Sequence, residues 1–316
     1  MTLIKRHKLK SLDSFVNQLS KGIPFIDWAE SIALSLIDKT SKGRKIVDLN
    51  QILEYRNVFL HSANENIYKA ILINNKDNFD LYLNNNKIFN DNEKRFIIAH
   101  EIAHTYFYQD QSNGLEKIAS ISFGSREVEN ICDYVALCIL LPKSFINEDI
   151  GQYRLENNNL KKRNEHYLKF MFHLSAKYQV DWHYLAYRLI NIFNFLPNCL
   201  CIEFVRKTGW KISWTFQSQG LIDRKLFIPV KYKSEGKSPS ARKSFEIILN
   251  ELLERQENYG YIIVNKDHFN SYYPGNLRQF INKYYTNEFD KLKIYYRINH
   301  KDNILLLFPF DGLLKN

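Results

Sequence analysis

Apolar residues recur every three to four positions over residues 12–19 and again over 26–37, with the turn-prone Gly22-Ile23-Pro24 between them. That period predicts helices, so the first 60 residues are expected to be helical and to serve as scaffold. The apolar and β-prone runs at residues 67–73 and 79–83 predict two strands joined by Asn74-Asn75-Lys76-Asp77-Asn78. A strand pair of this kind either offers an edge to an extended peptide or only backs a neighbouring helix. The helical period returns over roughly 92–108, where Asn90-Asp91-Asn92-Glu93 supplies a capping signal, and over 125–141, where Pro142 stops it. Between these helices, residues 110–125 contain Gly114 and Gly124 and read as a loop with a short strand at 118–123.

Beyond Pro142 the pattern weakens. Residues 143–160 read as a polar connection, 167–178 and 182–193 as two helices, and Gln179-Val180-Asp181 as the turn between them. The small Ala176, the apolar Val180 and the inward Leu185 and Leu189 make this pair resemble a helix-turn-helix. Trp182, Tyr184 and Tyr187 make its second helix more apolar than a groove reader usually is, so DNA contact and a purely structural pair both stand. Strands are expected at 200–205, 211–216, 226–230, 259–264, 292–298 and 303–308. A helix carrying Phe245, Ile248, Leu249, Leu252 and Leu253, a second at 276–285 and a basic loop at 231–243 complete the pattern.

The chain of 316 residues is thus expected to be α+β in three parts: residues 1–149, a helical segment at 150–196, and a mixed α/β domain at 197–316. Charge divides along the same line. Through residue 149 there are 18 Lys+Arg against 19 Asp+Glu, and from 150 onward 26 against 15, so the net +10 lies entirely in the second half. A basic region of domain size suits an anionic partner, with DNA the commonest, or a merely solvated surface. The four cysteines, Cys132, Cys138, Cys199 and Cys201, form no Cys-x-x-Cys pair and read as reduced thiols of a cytoplasmic protein. No apolar run reaches the length of a membrane span, and residues 1–10 lack the apolar core of a signal peptide.

Candidate chemistry concentrates in His100-Glu101-Ile102-Ala103-His104, set inside the 92–108 helix. Residues four apart lie on one helical face, so both imidazoles reach one metal ion, and Glu101 stands beside them to act on a water without being a ligand. Zinc hydrolysis needs this set: two neutral imidazoles, a third ligand, an open position and a carboxylate that accepts a proton. The bland reading is a solvated helix with two histidines, which the apolar Phe96, Ile98, Ala99, Ile102 and Ala103 disfavour. On the 125–141 helix, Glu129 and Asp133 share a face, Glu129 as third ligand and Asp133 as acceptor for a ligating histidine's free N–H. Glu127 is the rival ligand. Tyr106, Tyr108, Tyr134 and His61 read as packing residues.

These motifs resemble the ImmA/IrrE family of zinc metallo-endopeptidases from about residue 26 to 142. The likeness is carried by Val47-Asp48-Leu49, by Arg95-Phe96-Ile97-Ile98-Ala99-His100-Glu101-Ile102-Ala103-His104, by Val128-Glu129-Asn130-Ile131-Cys132-Asp133-Tyr134-Val135-Ala136 and by Ile139-Leu140-Leu141-Pro142. The resemblance implies a zincin-like fold, zinc on His100, His104 and Glu129, and Glu101 as catalytic base. It departs at Ala103, Cys132 and Val135, where the family usually has Gly, Ala and Phe; none of these removes a ligand. It further implies a protein substrate, typically a helix-turn-helix repressor of a mobile element or stress regulon, and in some members a GAF-like third domain. The rival is a DNA- or repressor-binding regulator with a structural zinc site, against which the intact Glu101 argues.

Overall fold

The computed structural model of the protein describes residues 24–41, 46–63, 69–75, 77–86, 89–108, 126–157, 160–195, 199–206, 210–218, 248–255, 257–265, 291–299 and 303–309. The expectations for residues 12–19, 110–125, 226–230, 231–243 and 276–285 lie outside them. The fold is mixed α+β, in two compact units: Met1–Gln152 with His173–Arg188, and Tyr153–Phe172 with Leu189–Asn316. The helical segment expected at 150–196 is divided between the two.

In the first unit, α1 (Phe25–Thr40) and α2 (Leu49–Tyr55) precede a three-stranded sheet of β1 (Val58–Ala63), β2 (Ala70–Asn74) and β3 (Phe79–Asn84). Its order is β1-β3-β2, with β1 parallel and β2 antiparallel to β3. β1 corrects the expectation that the first 60 residues are helical. Asn57 takes a left-handed φ of 52°, which ends α2, and the β-prone Val58-Phe59-Leu60 follows. α3 (Asp91–Tyr108) begins as expected, with the Asn90 side chain accepting the Glu93 N–H at 2.8 Å. α4 (Arg126–Leu140) packs against α3 and α1. The α4 side chains from Ile131 to Leu140 are buried except for the half-buried Asp133.

Residues 143–156 are a helix, not a polar connection. α5 (Lys143–Glu156) opens with the Ile146 N–H on the Pro142 carbonyl and buries Ile146 and Ile150, one turn apart; its many polar residues mask that short stripe. α6 (Leu160–Tyr178) ends at Gln179, with a left-handed φ of 54°, and the Ser175 hydroxyl donates to the Val180 carbonyl at 2.7 Å. The expected second helix is present and changes type along its length: α7 (Trp182–Tyr187) passes into a π-helical turn at Arg188–Ile192. Arg188 is fully buried and holds Glu30 of α1 at 2.6 Å and the Leu141 carbonyl at 2.8 Å, fastening α7 to α1 and to the end of α4.

The second unit is built on an antiparallel sheet of β4 (Cys199–Arg206), β5 (Trp210–Gln217), β6 (Tyr259–Asn265), β7 (Lys291–Asn299) and β8 (Asn303–Pro309), ordered β5-β4-β8-β7-β6. Tyr167, Leu168 and Met171 of α6 line one small apolar cavity with Cys201 and Leu307. A second helix, α8 (residues 248–254), buries Leu249 and Leu252, and its Asn250 accepts the Trp210 indole N–H at 3.0 Å. All four cysteines are free and buried. Among the described residues no helix is long and apolar enough to cross a membrane.

Candidate metal centre

α3 is fixed from several sides. Arg95 donates to the Val47 carbonyl at 3.0 Å, and Arg56 at the end of α2 donates to the Thr105 hydroxyl at 3.0 Å. Tyr184 of α7 stacks on Phe96, one turn before His100, with ring centroids 4.1 Å apart and 12° between planes. These contacts leave α3 little freedom to rotate, so its polar face is held toward α4.

On that face His100, His104 and Glu129 converge, each offering a ligand atom within 4.8 Å of the others. The two Nε2 atoms stand 3.1 Å apart. Glu129 brings Oε2 to 3.2 Å from His100 Nε2 and Oε1 to 3.5 Å from His104 Nε2. Tetrahedral coordination at about 2.0–2.1 Å sets donor atoms about 3.3–3.4 Å apart, so these separations suit an ion of zinc's size. The donor set, two imidazoles and one carboxylate, suits it as well. These three residues could therefore hold a metal ion. The rival Glu127 is exposed and stands outside the cluster.

Asp133 lies one turn beyond Glu129, with Oδ1 2.9 Å from His100 Nδ1. A carboxylate there takes the Nδ1 proton, so the Nε2 lone pair of a neutral His100 faces the cluster. Without a metal, that crowding appears as proton affinity. Burial opposes a charge on His100, but the bonds to Asp133 and then Glu129 prevail and raise it to about 10. Burial and the neighbouring His100 charge push His104 down to about 4. One proton is thus held, on His100, because only His100 has Asp133 behind it. The hydrogen bond from His100 keeps Glu129 below the usual carboxylate range.

Glu101 points to the same region. Burial pushes its carboxyl up to about 6, against the pull of His100 and with the help of Glu129, so it exchanges a proton near neutral pH. His100 and His104 are largely buried, while the Glu129 side chain is 46% exposed, so the cluster meets solvent at Glu129.

The remaining sequence candidates stand elsewhere. Tyr134 is buried against Phe25, with ring centroids 5.1 Å apart. Tyr106 lies under the Arg56 guanidinium at 4.0 Å. His61 sits on the outer face of the three-stranded sheet, 2.6 Å from Asp80, and the Tyr108 side chain is outside the described residues. Tyr184 is the residue that sequence reasoning missed. It belongs to another helix far along the chain, and no spacing rule links it to Phe96.

No protein-family model matches the chain, and no curated protein matches it. Among solved structures it is similar to a Mycobacterium tuberculosis transcriptional regulator, 13% identical over 95% of this chain and 79% of that one, with a TM-score of 0.46. A likeness so slight carries no argument, and the candidate centre stands on its own residues.

Proposed function

We propose that this protein is a cytoplasmic zinc-dependent endopeptidase of the ImmA/IrrE kind, cleaving a regulator such as a helix-turn-helix repressor in response to a stress or mobile-element signal. The observation that carries the reading is a three-donor cluster, His100, His104 and Glu129, beside the half-buried Glu101, whose carboxyl is near half-protonated around pH 6. When bound there, zinc supplies Lewis acidity toward a peptide carbonyl and toward water.

The chain's own residues supply the rest. Asp133 holds the His100 Nδ1 proton and so aims Nε2 into the cluster. The Glu101 carboxylate accepts a proton from the attacking water and returns it to the nitrogen of the leaving amine. Its raised proton affinity suits the return step, and the open Glu129 side suits entry of an extended peptide. In this reading the first unit is zincin-like and the second is a GAF-like sensor. The α6–α7 pair is helix-turn-helix-like but structural, because every α7 side chain is buried or half-buried, which leaves little to enter a groove.

The test is cleavage of a purified candidate repressor by the zinc-loaded protein and by Glu101→Gln. General-base loss predicts a rate lower by about 10²–10⁴ with zinc content unchanged. Equal cleavage by the variant would refute the role of Glu101.

A further inference from the structure

One strip of the five-stranded sheet combines exposed rings with cations. Tyr259, Tyr261 and Ile263 occupy alternate positions of β6, the outermost strand of the sheet among the described residues, and are 52, 46 and 56% exposed. Alternation places them on one face, about 7 Å apart along the strand. The register sets Arg297, Tyr295 and Lys293 directly beside them on β7. Lys293 Nζ lies 3.6 Å from the Tyr261 ring centroid and 5.5 Å from that of Tyr295. From α6, Lys169 Nζ lies 5.8 Å from the Tyr259 ring, and the Arg297 guanidinium covers the Phe172 ring at 3.6 Å.

These six strand positions read Tyr, Tyr, Ile, Lys, Tyr, Arg, with no carboxylate among them. The second unit has 24 Lys+Arg against 14 Asp+Glu, which is the 26 and 15 of residues 150–316 without Lys177, Arg188 and Asp181. The unit that carries this exposed row of aromatic rings thus has a net charge of +10. Exposed rings on an edge strand are a hazard unless used. A second copy of this face would bring the same cations against each other. A duplex offers phosphates but no free base faces, whereas a single strand offers both, alternating at the scale of this row.

We propose that this face binds single-stranded nucleic acid without sequence preference, stacking bases on Tyr259 and Tyr261 and holding backbone phosphates with Lys293, Lys169 and Arg297. Rings give tolerance, since every base has a π-face, and the flexible Lys293 yields the Tyr261 face to a base while keeping its ammonium near the phosphate.

The test is fluorescence anisotropy on the full chain, with a labelled mixed-sequence DNA strand, the RNA of the same sequence and the DNA duplex, near physiological salt. The two single strands should bind within about threefold of each other and the duplex at least about tenfold more weakly, because rings and phosphates are what the strands share. Tyr259→Ala with Tyr261→Ala should weaken strand binding by about tenfold or more, while Tyr261→Phe stays within about twofold. Lys293→Gln should lower the slope of log affinity on log salt by about 0.7. Should the alanine pair not fold, Tyr259→Leu with Tyr261→Leu keeps apolar bulk without flat rings and carries the same expectation. Absence of strand binding, preference for duplex, affinity indifferent to the rings, or a preference above about tenfold for one sugar would each overturn the proposal. So would self-association through β6 that removes the strand site.

Discussion

Replacing Asp133 by asparagine removes a charge behind His100 while leaving an oxygen able to accept the Nδ1 proton, 2.9 Å away. Two effects follow, and they oppose each other. A ligating histidine that loses its carboxylate binds metal about 10–100-fold less tightly. His100, however, holds a competing proton with a pKa of about 10, which at pH 7.5 weakens metal binding by roughly 300-fold. The neutral amide releases much of that grip, because the Asp133 bond is the largest influence raising His100. In the wild type, affinity should therefore rise by about tenfold per pH unit between about pH 7 and 9, with about one proton released per ion bound. In Asp133→Asn the slope should flatten over the same range. The variant should nearly match the wild type at about pH 7 and fall about 2–10-fold behind at about pH 9, where the wild type still carries about a tenfold proton penalty. Competition against a chromophoric zinc chelator at several pH values measures both lines. A wild-type affinity flat in pH, or two parallel lines, would refute the reasoning.

Three further outcomes follow. Arg188→Met leaves Glu30, 12% exposed, without its cation and the Leu141 carbonyl without its donor; breaking a pair whose cation is fully buried should cost about 3–5 kcal/mol in urea unfolding, and a loss under about 1 kcal/mol would contradict it. A Cβ at Gly260 would lie 2.9 Å from the Tyr296 hydroxyl and 3.1 Å from its ring, so Gly260→Ala should cost about 1–3 kcal/mol, with Tyr296→Phe restoring only part. For the metal-free protein, His100, raised to about 10, contributes stability that is complete below its ordinary 6.5 and is lost as pH rises through about 10. His104, lowered to about 4, contributes stability that is complete above 6.5 and lost as pH falls toward about 4. Urea midpoints should therefore peak near neutral pH, and His104→Ala should flatten the acid side; an unchanged acid side would count against the assignment.

The metal-side helices were legible because their signals are local. The Asn90–Glu93 cap, the four-residue spacing of His100 and His104 and the Pro142 stop each act within one or two turns. Glu129 and Asp133 were legible as a pair for the same reason, although their meeting with α3 is tertiary. β1 escaped notice because helix and strand patterns are alike over six apolar-rich residues, and the left-handed Asn57 that separates α2 from β1 has no strong sequence mark. α5 escaped because its buried stripe is short and lies among charges. Partners far apart in sequence, Tyr184 on Phe96 and Arg188 on Glu30, obey no period at all. They decide how firmly the metal face is held.

In the function proposed for this protein, His100, His104 and Glu129 together hold one metal ion. Elemental analysis of the purified protein beside His104→Ala and Glu129→Ala tests it most directly. About one zinc per chain is expected in the wild type, lost or sharply reduced in both variants. A wild type without metal, or zinc retained in full when Glu129 is removed, would contradict it.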